Sequence, residues 1–373
     1  MTVIRAHVRA RDLGIPFAGK PGPLNAITDV AGVEVGHTTL IRGGRVRTGV
    51  TTVLPRGKVY DPCFAGWYAL NGNGEMTGTT WLDESGFIET PIAITNTHSV
   101  GVVRDAMVSW HAQRGLTDPI APGIFWMLPV VAETYDGVLN DINGMHVKPR
   151  HVWAALDNAA GGAVAEGCVG GGTGMNCYEF KGGIGTSSRI AKIARKNYTV
   201  GVLLQANFGS RHQLTVAGVP LGAAFDDIPS FRRLVSVPVP KPLETGSVIV
   251  VIATDAPLLP HQLKRLARRV PMGLARTGTT GGNSSGDIFI AFSTANAGAA
   301  MRAGSHKVAM LPNDEMDALF ESVVYGVEEA VMNALIVART MTGQGGRVSH
   351  ALPHNRLVAL LQARGIIKKQ PGG

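Results

Sequence analysis

The chain has 373 residues, 45% of them hydrophobic and 17% charged, so it is long and apolar enough to bury a large core. Its net charge is +8, but the basic residues are dispersed apart from a short cluster, Lys264, Arg265, Arg268 and Arg269. We interpret that cluster as a solvated helix face, and the lack of any nucleic-acid-binding motif argues against a nucleic-acid partner. The sequence contains no run of about 18 apolar residues, so we predict no membrane span. The polar N-terminus lacks an apolar stretch long enough for a signal peptide, so we expect a cytoplasmic protein.

In the first half of the chain, short strands are punctuated by glycine and lead into two helices. Residues 24–54 alternate apolar and polar side chains between Gly and Asp, which is typical of strands. A buried strand beginning at residue 91 leads into a helix at 102–114, where apolar residues have helical spacing and a glycine follows. A strand and a polar loop are predicted within 123–142, and a second helix at 152–167.

The second half opens with a strand at 199–209 and then changes character. Three prolines at alternate positions between residues 238 and 242 predict an extended linker. The β-branched run 247–255 predicts a strand buried on both faces, and the polar tail from Gly343 is expected to be loose. Between them we predict an amphipathic helix at 261–276, a strand at 287–294 and a long helix at 314–341. Strands interleaved with long helices favour an α/β or α+β fold in which helices cover the sheets.

The sequence carries few signs of a bound metal or cofactor. Its three cysteines have neither metal-binding nor disulfide-framework spacing, and its 11 histidines contain no HExxH pattern. His98 follows a predicted strand, where a structural role is favoured over a functional one. The glycine-rich stretches match neither the phosphate-binding loop nor the dinucleotide-binding pattern. We therefore expect no metal and no organic cofactor.

The first candidate site is the point where the proline-rich linker meets the buried strand. Gly246 permits unusual backbone angles, and Ser247 begins the strand. A serine hydroxyl beside a strained peptide bond can attack the preceding carbonyl, and hydrolysis of the resulting ester would leave Ser247 with a free α-amino group. Such an amine has an ordinary pKa of about 7.7–8.0 and can act as a base near neutral pH. Taken alone, these residues favour an ordinary loop-to-strand boundary.

Three other segments place polar side chains next to predicted strands. Ser285 and Asp287 lie among glycines before a buried strand, either as a capped turn or as a hydroxyl and a carboxylate that support a nucleophile. Glu133 can hold the ammonium group of a substrate, and the Tyr135 hydroxyl can donate to an oxyanion. Asn207 ends a strand, where its amide is a further candidate oxyanion donor. Each residue also has a simpler explanation as part of a polar turn.

Taken together, these segments resemble the DmpA family, the L-aminopeptidase/D-esterase group that includes the β-peptidyl aminopeptidases. The resemblance spans nearly the whole chain and rests on PGPLNAITDVAGVEVGHTT, NTHSVG, WMLPVVAETYDGVLNDIN, LLQANFG, LETGSVIVVIATDAPL and GNSSGDIFIAFSTAN, in this order. It implies one domain, residues 1–373, folded as an α/β protein: an αββα sandwich layered like Ntn hydrolases, with the different strand connectivity of the DmpA and ornithine acetyltransferase families. It also implies self-cleavage into an α chain, 1–246, and a β chain, 247–373, and a tetramer of such heterodimers.

The resemblance implies a role for each member of the candidate site. Ser247 matches the nucleophile, released by a cut after Gly246. Ser285 and Asp287 match the pair that supports it, although some relatives have glutamate at the latter position. Two further residues match the positions that stabilise the oxyanion, namely Asn207 and Tyr135.

The remaining candidates concern the substrate. Glu133 matches the residue that faces the substrate's amino group, and Trp126 falls where family members line the side-chain pocket. The implied activity is hydrolysis of an N-terminal aminoacyl amide, peptide or ester bond through an acyl-enzyme on Ser247. Two alternatives stay open: an ornithine acetyltransferase-like acyl transfer, against which Ser in place of Thr at the junction argues, and a non-catalytic ligand-binding or assembly protein on the same scaffold.

Overall fold

The computed structural model describes residues 8–115, 126–231 and 246–368, so the proline-rich linker predicted up to Gly246 lies almost wholly outside the described residues. The strands in these ranges are β1 (Glu34–Arg42), β2 (Val46–Lys58), β3 (Cys63–Gly72), β4 (Phe87–Ile88), β5 (Ile92–Asn96), β6 (Val130–Thr134), β7 (Asn176–Cys177), β8 (Phe180–Lys181), β9 (Gly183–Ile193), β10 (Lys196–Asn207), β11 (Thr215–Val216), β12 (Val219–Pro220), β13 (Ser247–Thr254), β14 (Gly286–Ser293), β15 (Met341–Thr342) and β16 (Val348–Ser349). The α-helices in the same ranges are α1 (Thr79–Ser85), α2 (Val100–Gln113), α3 (Pro149–Asp157), α4 (Pro260–Ala267), α5 (Val270–Ala275), α6 (Asp317–Val337) and α7 (His354–Ala363).

Two mixed sheets face each other at the centre of the molecule. One has the strand order β1-β2-β5-β6 and the other the order β4-β3-β14-β13-β10-β9. Strands β5 and β6 run parallel, as do β13 and β14, and the other neighbours are antiparallel. Buried apolar side chains fill the space between the sheets, including Ile92 and Ile94 from one sheet and Ile249, Val251 and Ile290 from the other.

Helices cover the outer face of each sheet. On the four-stranded sheet, α2 and α3 contribute Met107 and Leu156 to a buried cluster with Val50. On the six-stranded sheet, α4, α5 and α6 bury apolar side chains such as Leu263 and Val331. The layers therefore run helix, sheet, sheet, helix, which confirms the predicted αββα sandwich.

Strand β13 shows why the sequence signal for double burial was reliable. All eight of its residues are buried. Val250 lies in the cluster under the helices, whereas Ile249 and Val251 lie between the two sheets. Since successive side chains of a strand point to opposite faces, a strand between two apolar layers needs an unbroken apolar run.

Most other predicted elements lie close to their expected bounds. The helix predicted at 102–114 is α2, the long helix is α6, and the three later strands are β10, β13 and β14. Within 24–54 the structure has a single 3₁₀ turn, Ile27–Asp29, before β1 and β2. No helix in the described ranges combines the length and the apolar character that a membrane crossing requires.

The helix predicted at 152–167 is wrong in its second half. Helix α3 ends at Asp157, and the chain then turns so that Ala160 forms an isolated β-bridge with Val35. Gly162 has a φ of 93°, which an α-helix does not contain. The alanine-rich composition favoured a helix, but the paired glycines that interrupt it end the helix early.

The single amphipathic helix predicted at 261–276 is two helices, because α4 ends at Ala267 and α5 begins at Val270. Pro271 cannot donate to a helical carbonyl, and its ring would clash with the carbonyl four residues earlier. The basic cluster here is also not simply solvated: the guanidinium of Arg269 lies 3.9 Å from the centroid of the Phe320 ring. Part of its charge therefore packs against an aromatic face.

The C-terminal tail, predicted to be loose from Gly343, is packed. Strands β15 and β16 pair with each other, and α7 follows them. Leu357 and Leu361 of α7 are fully buried in the cluster under the helices. The main-chain N–H of Lys181 also donates to the His350 carbonyl at 2.7 Å. The polar composition of the tail hid two leucines at helical spacing, and these are enough to dock a short helix.

Candidate active site

Ser247 lies at the edge where several strands of the six-stranded sheet begin or end. It is the first residue of β13 and is paired with Asn207 at the end of β10 and with Gly286 at the start of β14. Its side chain is almost fully buried, yet Ser247 lines a cavity of about 460 Å³. Five of the predicted site residues line this one cavity, namely Gly246, Ser247, Asn207, Glu133 and Tyr135.

Gly246 is held so closely that only glycine fits. A Cβ atom at this position would lie 2.4 Å from the Asn207 carbonyl oxygen and 2.7 Å from the Phe208 Cα. The Gly246 carbonyl, which precedes the Ser247 nitrogen, accepts a hydrogen bond of 3.1 Å from the Gly286 N–H. A main-chain donor thus polarises the carbonyl next to the candidate nucleophile, as an oxyanion-hole donor does.

Ser285 and Asp287 flank Gly286, so they stand on either side of the residue paired with Ser247. The Ser285 hydroxyl donates to Asp287 Oδ1 at 2.6 Å, and Asn71 Nδ2 donates to Asp287 Oδ2 at 3.0 Å. Both side chains are buried. Because the carboxylate accepts the Ser285 proton, the Ser285 oxygen keeps its lone pairs available to accept a hydrogen bond from another group.

The Asn207 amide is held in one orientation. Its Oδ1 accepts a hydrogen bond from the Asn176 N–H at 2.8 Å, and its Nδ2 donates to the Tyr135 carbonyl at 3.0 Å. An amide nitrogen carries two hydrogens, so a second N–H of Asn207 remains for a group in the cavity. Fixed donors of this kind stabilise a developing oxyanion without reorganising first.

Glu133 brings a buried carboxylate to the cavity. Its Oε2 accepts a hydrogen bond from the Thr97 hydroxyl, and its Oε1 accepts one from the Glu75 N–H at 3.1 Å. Burial raises the pKa of Glu133 above the ordinary value, an effect that these two hydrogen bonds oppose. A buried carboxylate with donors on both oxygens is a suitable partner for a substrate ammonium group.

The two aromatic candidates differ in their positions. Tyr135 is 49% exposed, lines the cavity, and covers Gly137, where an added Cβ would lie 2.3 Å from its hydroxyl oxygen. Trp126 is 48% exposed and packs edge-on against Trp81, with ring centroids 6.2 Å apart. Trp126 is not one of the described residues that line the cavity. His98 is exposed and also does not line it.

Several cavity residues were not singled out from the sequence. Thr97 lies next to His98, directly after the strand that the sequence predicted there, and Asn176 lies in the glycine-rich segment before β8. Other lining residues come from neighbouring turns, including Asn73, Glu179, Gly209 and Phe231. The signal that could have found them is position, because all of them except Phe231 lie at or just beyond the end of a strand. A strand end alone is too common a setting to select them.

Two observations bear on cofactors and thiols. Among the residues that the structure describes, no three His, Cys, Asp or Glu side chains come together as potential metal ligands. Cys63, Cys168 and Cys177 form no disulfide. None of these thiols is among the described residues that line the cavity, whose polar side chains are hydroxyls, carboxylates and amides.

Comparison with known proteins gives one consistent result. Residues 25–349 match the sequence model of peptidase family S58. The chain is 54% identical to a beta-peptidyl aminopeptidase from Sphingosinicella microcystinivorans, over 95% of this chain and 92% of that protein. It is 46% identical to a protein of the same name from Sphingosinicella xenopeptidilytica, over 97% and 93% of the two chains.

Solved structures agree with the sequence comparison. The fold is similar to that of the L-aminopeptidase D-Ala-esterase/amidase from Ochrobactrum anthropi, with a TM-score of 0.89 and 47% identity over 96% of this chain and 99% of that one. That protein is described as a prototype serine aminopeptidase with a variant of the Ntn hydrolase fold. A Burkholderia beta-aminopeptidase gives a TM-score of 0.87 and 47% identity, over 98% and 100% of the two chains. The chain therefore belongs to peptidase family S58 and is an aminopeptidase of the N-terminal-serine class.

Proposed function

We propose that the chain cuts itself between Gly246 and Ser247 and that Ser247 then acts as the N-terminal nucleophile. The products are an α chain of residues 1–246 and a β chain of residues 247–373. The observation that carries the proposal is the meeting of Ser247, a fixed amide on Asn207 and a buried carboxylate on Glu133 in one cavity. Nucleophile, oxyanion donor and amine receptor are the three groups that an aminopeptidase needs.

Self-cleavage starts from the contacts of the intact junction. Ser247 Oγ attacks the Gly246 carbonyl carbon, and the Gly286 N–H, 3.1 Å from the carbonyl oxygen, stabilises the negative charge that develops there. The C–N bond breaks, the nitrogen takes the hydroxyl proton, and an ester joins Gly246 to Ser247 Oγ. Water hydrolyses that ester, which frees the Gly246 carboxylate and leaves Ser247 with an α-amino group and a hydroxyl.

In the mature enzyme, the substrate ammonium group binds Glu133 and the first carbonyl lies at Ser247. Ser247 Oγ attacks that carbon while its proton passes to the Ser247 α-amine or to Ser285. An α-amine is suited to this task because its ordinary pKa is about 7.7–8.0. The free N–H of Asn207 and the Tyr135 hydroxyl stabilise the oxyanion, and the Ser285–Asp287 pair supports the base.

Collapse of the tetrahedral intermediate expels the amine or alcohol, which leaves with the transferred proton. An ester between the aminoacyl group and Ser247 Oγ remains, and water hydrolyses it. Because this intermediate is an ester, a second amine can take the place of water, and we expect aminolysis as a side reaction.

The proposed substrates are small peptides and aminoacyl amides or esters with a free amino group. The names of the similar proteins point to β-aminoacyl, L-aminoacyl and D-alanyl substrates. The cavity of about 460 Å³ is of the size of a small-ligand site. A β-aminoacyl group differs from an α-aminoacyl group by one methylene, which is worth only about 1–3 kcal/mol, so pocket shape decides the preference.

We further propose a tetramer of processed heterodimers, as the family resemblance implies, and a location in the cytoplasm, as expected from the sequence. The three cysteine thiols, none of which forms a disulfide, fit a reducing compartment. Light scattering on the purified enzyme measures the assembly directly. A mass of one heterodimer at micromolar concentration would contradict the tetramer.

The experiment that tests the proposed function is intact mass spectrometry under denaturing conditions. We expect the wild type to give chains of 246 and 127 residues in place of the 39.2 kDa precursor, the smaller one beginning with Ser247. Ser247→Ala should stay uncut and inactive. Ser305→Ala is the matched control, since it changes another Gly–Ser pair, which is exposed, and should be cut normally. A folded wild type that remains one chain would overturn the mechanism.

A further inference from the structure

A strained turn holds one carboxylate in the active-site cavity. Tyr178 and Glu179 form the two-residue turn between β7 and β8, and their φ angles are 51° and 59°. Positive φ at both central positions is typical of a type I′ hairpin, for which Asn and Gly are strongly preferred. Neither residue here is one of those types, so the sequence departs from the favoured choice at two adjacent positions.

Hydrogen bonds from the surrounding structure stabilise this turn at several polar groups. The Tyr178 hydroxyl is buried and bonded to Thr277 Oγ1 at 2.7 Å and to the Thr279 N–H at 3.1 Å. The guanidinium of Arg211 donates to the Tyr178 carbonyl at 3.1 Å and to the Glu179 carbonyl at 2.7 Å. Backbone strain that surrounding contacts maintain next to an active site indicates a function for the residue that the strained turn positions.

Glu179 and Glu133 lie on opposite sides of Ser247. On the β14 side, an added Cβ on Gly74 would lie 3.1 Å from the Gly286 Cα and 3.3 Å from Glu133 Oε1, so Glu133 is close to that strand. On the β10 side, the chain leaves Asn207 and reaches Arg211, whose N–H lies 3.5 Å from Glu179 Oε1. The two carboxylates therefore flank the nucleophile, one beyond each neighbouring strand.

This placement separates the two ends of a substrate. The proposed function, on which this inference rests, puts the substrate amine at Glu133 and the carbonyl at Ser247. The leaving group then points away from Glu133, toward the part of the cavity lined by Glu179, Phe208 and Phe231. Aromatic walls ending in a carboxylate fit an alkyl chain that carries a cation.

We propose that Glu179 determines leaving-group specificity by binding a positive charge on the amine that departs. The preferred leaving group is an alkylamine or an amino acid with a cationic side chain. The same site accepts a cationic amine when aminolysis replaces hydrolysis. Glu179 thus acts on the second half of the substrate, whereas Glu133 acts on the first.

The test compares two amides of the same aminoacyl group, one of 1,6-diaminohexane and one of heptylamine, in which a methyl group replaces the terminal ammonium. We expect the ratio of kcat/KM for the cationic to the neutral amide to fall about fivefold in Glu179→Gln, as for a partly exposed charge pair. In the wild type, 0.5 M NaCl should lower the ratio, because it screens the pair. Glu321→Gln removes an exposed carboxylate on α6 and should leave the ratio unchanged.

A second variant tests the strain independently. Glycine accepts positive φ without cost, so Glu179→Gly should raise Tm while it lowers the same ratio. A ratio that is equal in the wild type and in both variants would overturn the inference. A wild type that is cut but hydrolyses neither amide would contradict the proposed function instead, so the two failures are distinguishable.

Discussion

Glu133 combines the two properties that a receptor for an ammonium group needs, a buried charge and fixed orientation. Burial strengthens the attraction to a cation, and the hydrogen bonds from Thr97 and the Glu75 N–H favour the ionised carboxylate and fix its position. The same burial raises the pKa of Glu133. Protonation of Glu133 should therefore contribute to the acid limb of the activity.

We predict that Glu133→Gln lowers kcat/KM for aminoacyl amides by about 100-fold, because a desolvated ion pair is lost. A protonated carboxyl cannot pair with an ammonium group, so wild-type kcat/KM should fall as pH drops through the raised pKa of Glu133. In the variant the part of the acid limb that is due to Glu133 should disappear, whereas a limb due to protonation of the Ser247 α-amine should stay. Initial rates from pH 5 to 9 measure both effects, with Glu84→Gln, an exposed carboxylate on α1, as the control. An unchanged acid limb in Glu133→Gln would rule out this role.

Asp136, next to Tyr135, is fully buried and makes stability depend on pH. Burial raises its pKa from the ordinary 3.8 to about 7, although hydrogen bonds from Thr48, Asn140 and Asn96 oppose the shift. Between these two values the folded state keeps a proton that the unfolded state releases. Raising the pH through this window therefore favours unfolding.

We predict that Asp136→Asn removes that dependence. Relative to the variant, the wild type should lose on the order of 1–3 kcal/mol of unfolding free energy between pH 4.5 and pH 7.5. Urea denaturation at both pH values measures the difference. The sign of the change in unfolding free energy decides between the two states of Asp136. If the wild type gained stability with rising pH, relative to the variant, Asp136 would be ionised in the folded protein throughout.

At the scale of single residues, the sequence identified the groups but not their partners. Glu133 and Asn207 were candidates because they end predicted strands. Thr97 and Asn176, which orient them, were not, because each contact joins residues more than 30 positions apart in the chain. Such pairings depend on the order of strands in the sheets, which local patterns do not encode.

At the scale of elements, an unbroken run of apolar side chains predicted burial reliably, whereas average composition did not predict where helices end. The unbroken apolar run of β13 reflects its two apolar layers, so double burial could be predicted. The end of α3 and the break before α5 each depend on one or two residues, the glycines at 161 and 162 and Pro271. Averages over a window of residues conceal such signals, and the polar average of the tail concealed α7 in the same way.

Helix α7 should contribute measurably to stability. Leu361 is fully buried against the cluster under the helices. Leu361→Ala should lower the unfolding free energy by about 2–4 kcal/mol, because it removes buried apolar area and leaves a cavity. Thermal denaturation compares it with Val358→Ala, a half-buried position on the same helix that should cost clearly less. Equal Tm values for the wild type and Leu361→Ala would mean that the tail does not belong to the cooperative core.

At the scale of the whole molecule, the proposed cut falls at the centre of the six-stranded sheet. Both strands that the β chain contributes, β13 and β14, lie between β3 and β10, which belong to the α chain. Helix α6 of the β chain also packs against β9 and β10. One broken peptide bond removes none of these contacts, so we expect the two chains to remain one folded unit.

We therefore predict that the processed chains co-elute in size-exclusion chromatography under native conditions and separate only in denaturant. The elution volume should equal that of the uncut Ser247→Ala protein, which serves as the control. Exposed ion pairs such as Lys264–Asp83 also join the two chains, and salt should weaken these. The main-chain hydrogen bonds of the sheet, the buried apolar side chains and the buried Arg189–Glu329 pair are screened little, so 1 M NaCl should not separate the chains. Loss of the smaller chain on dilution or in salt would show that the sheet does not hold the halves together. Co-elution at every salt concentration would mean that self-cleavage exposes the Ser247 amine without loosening the fold that positions it.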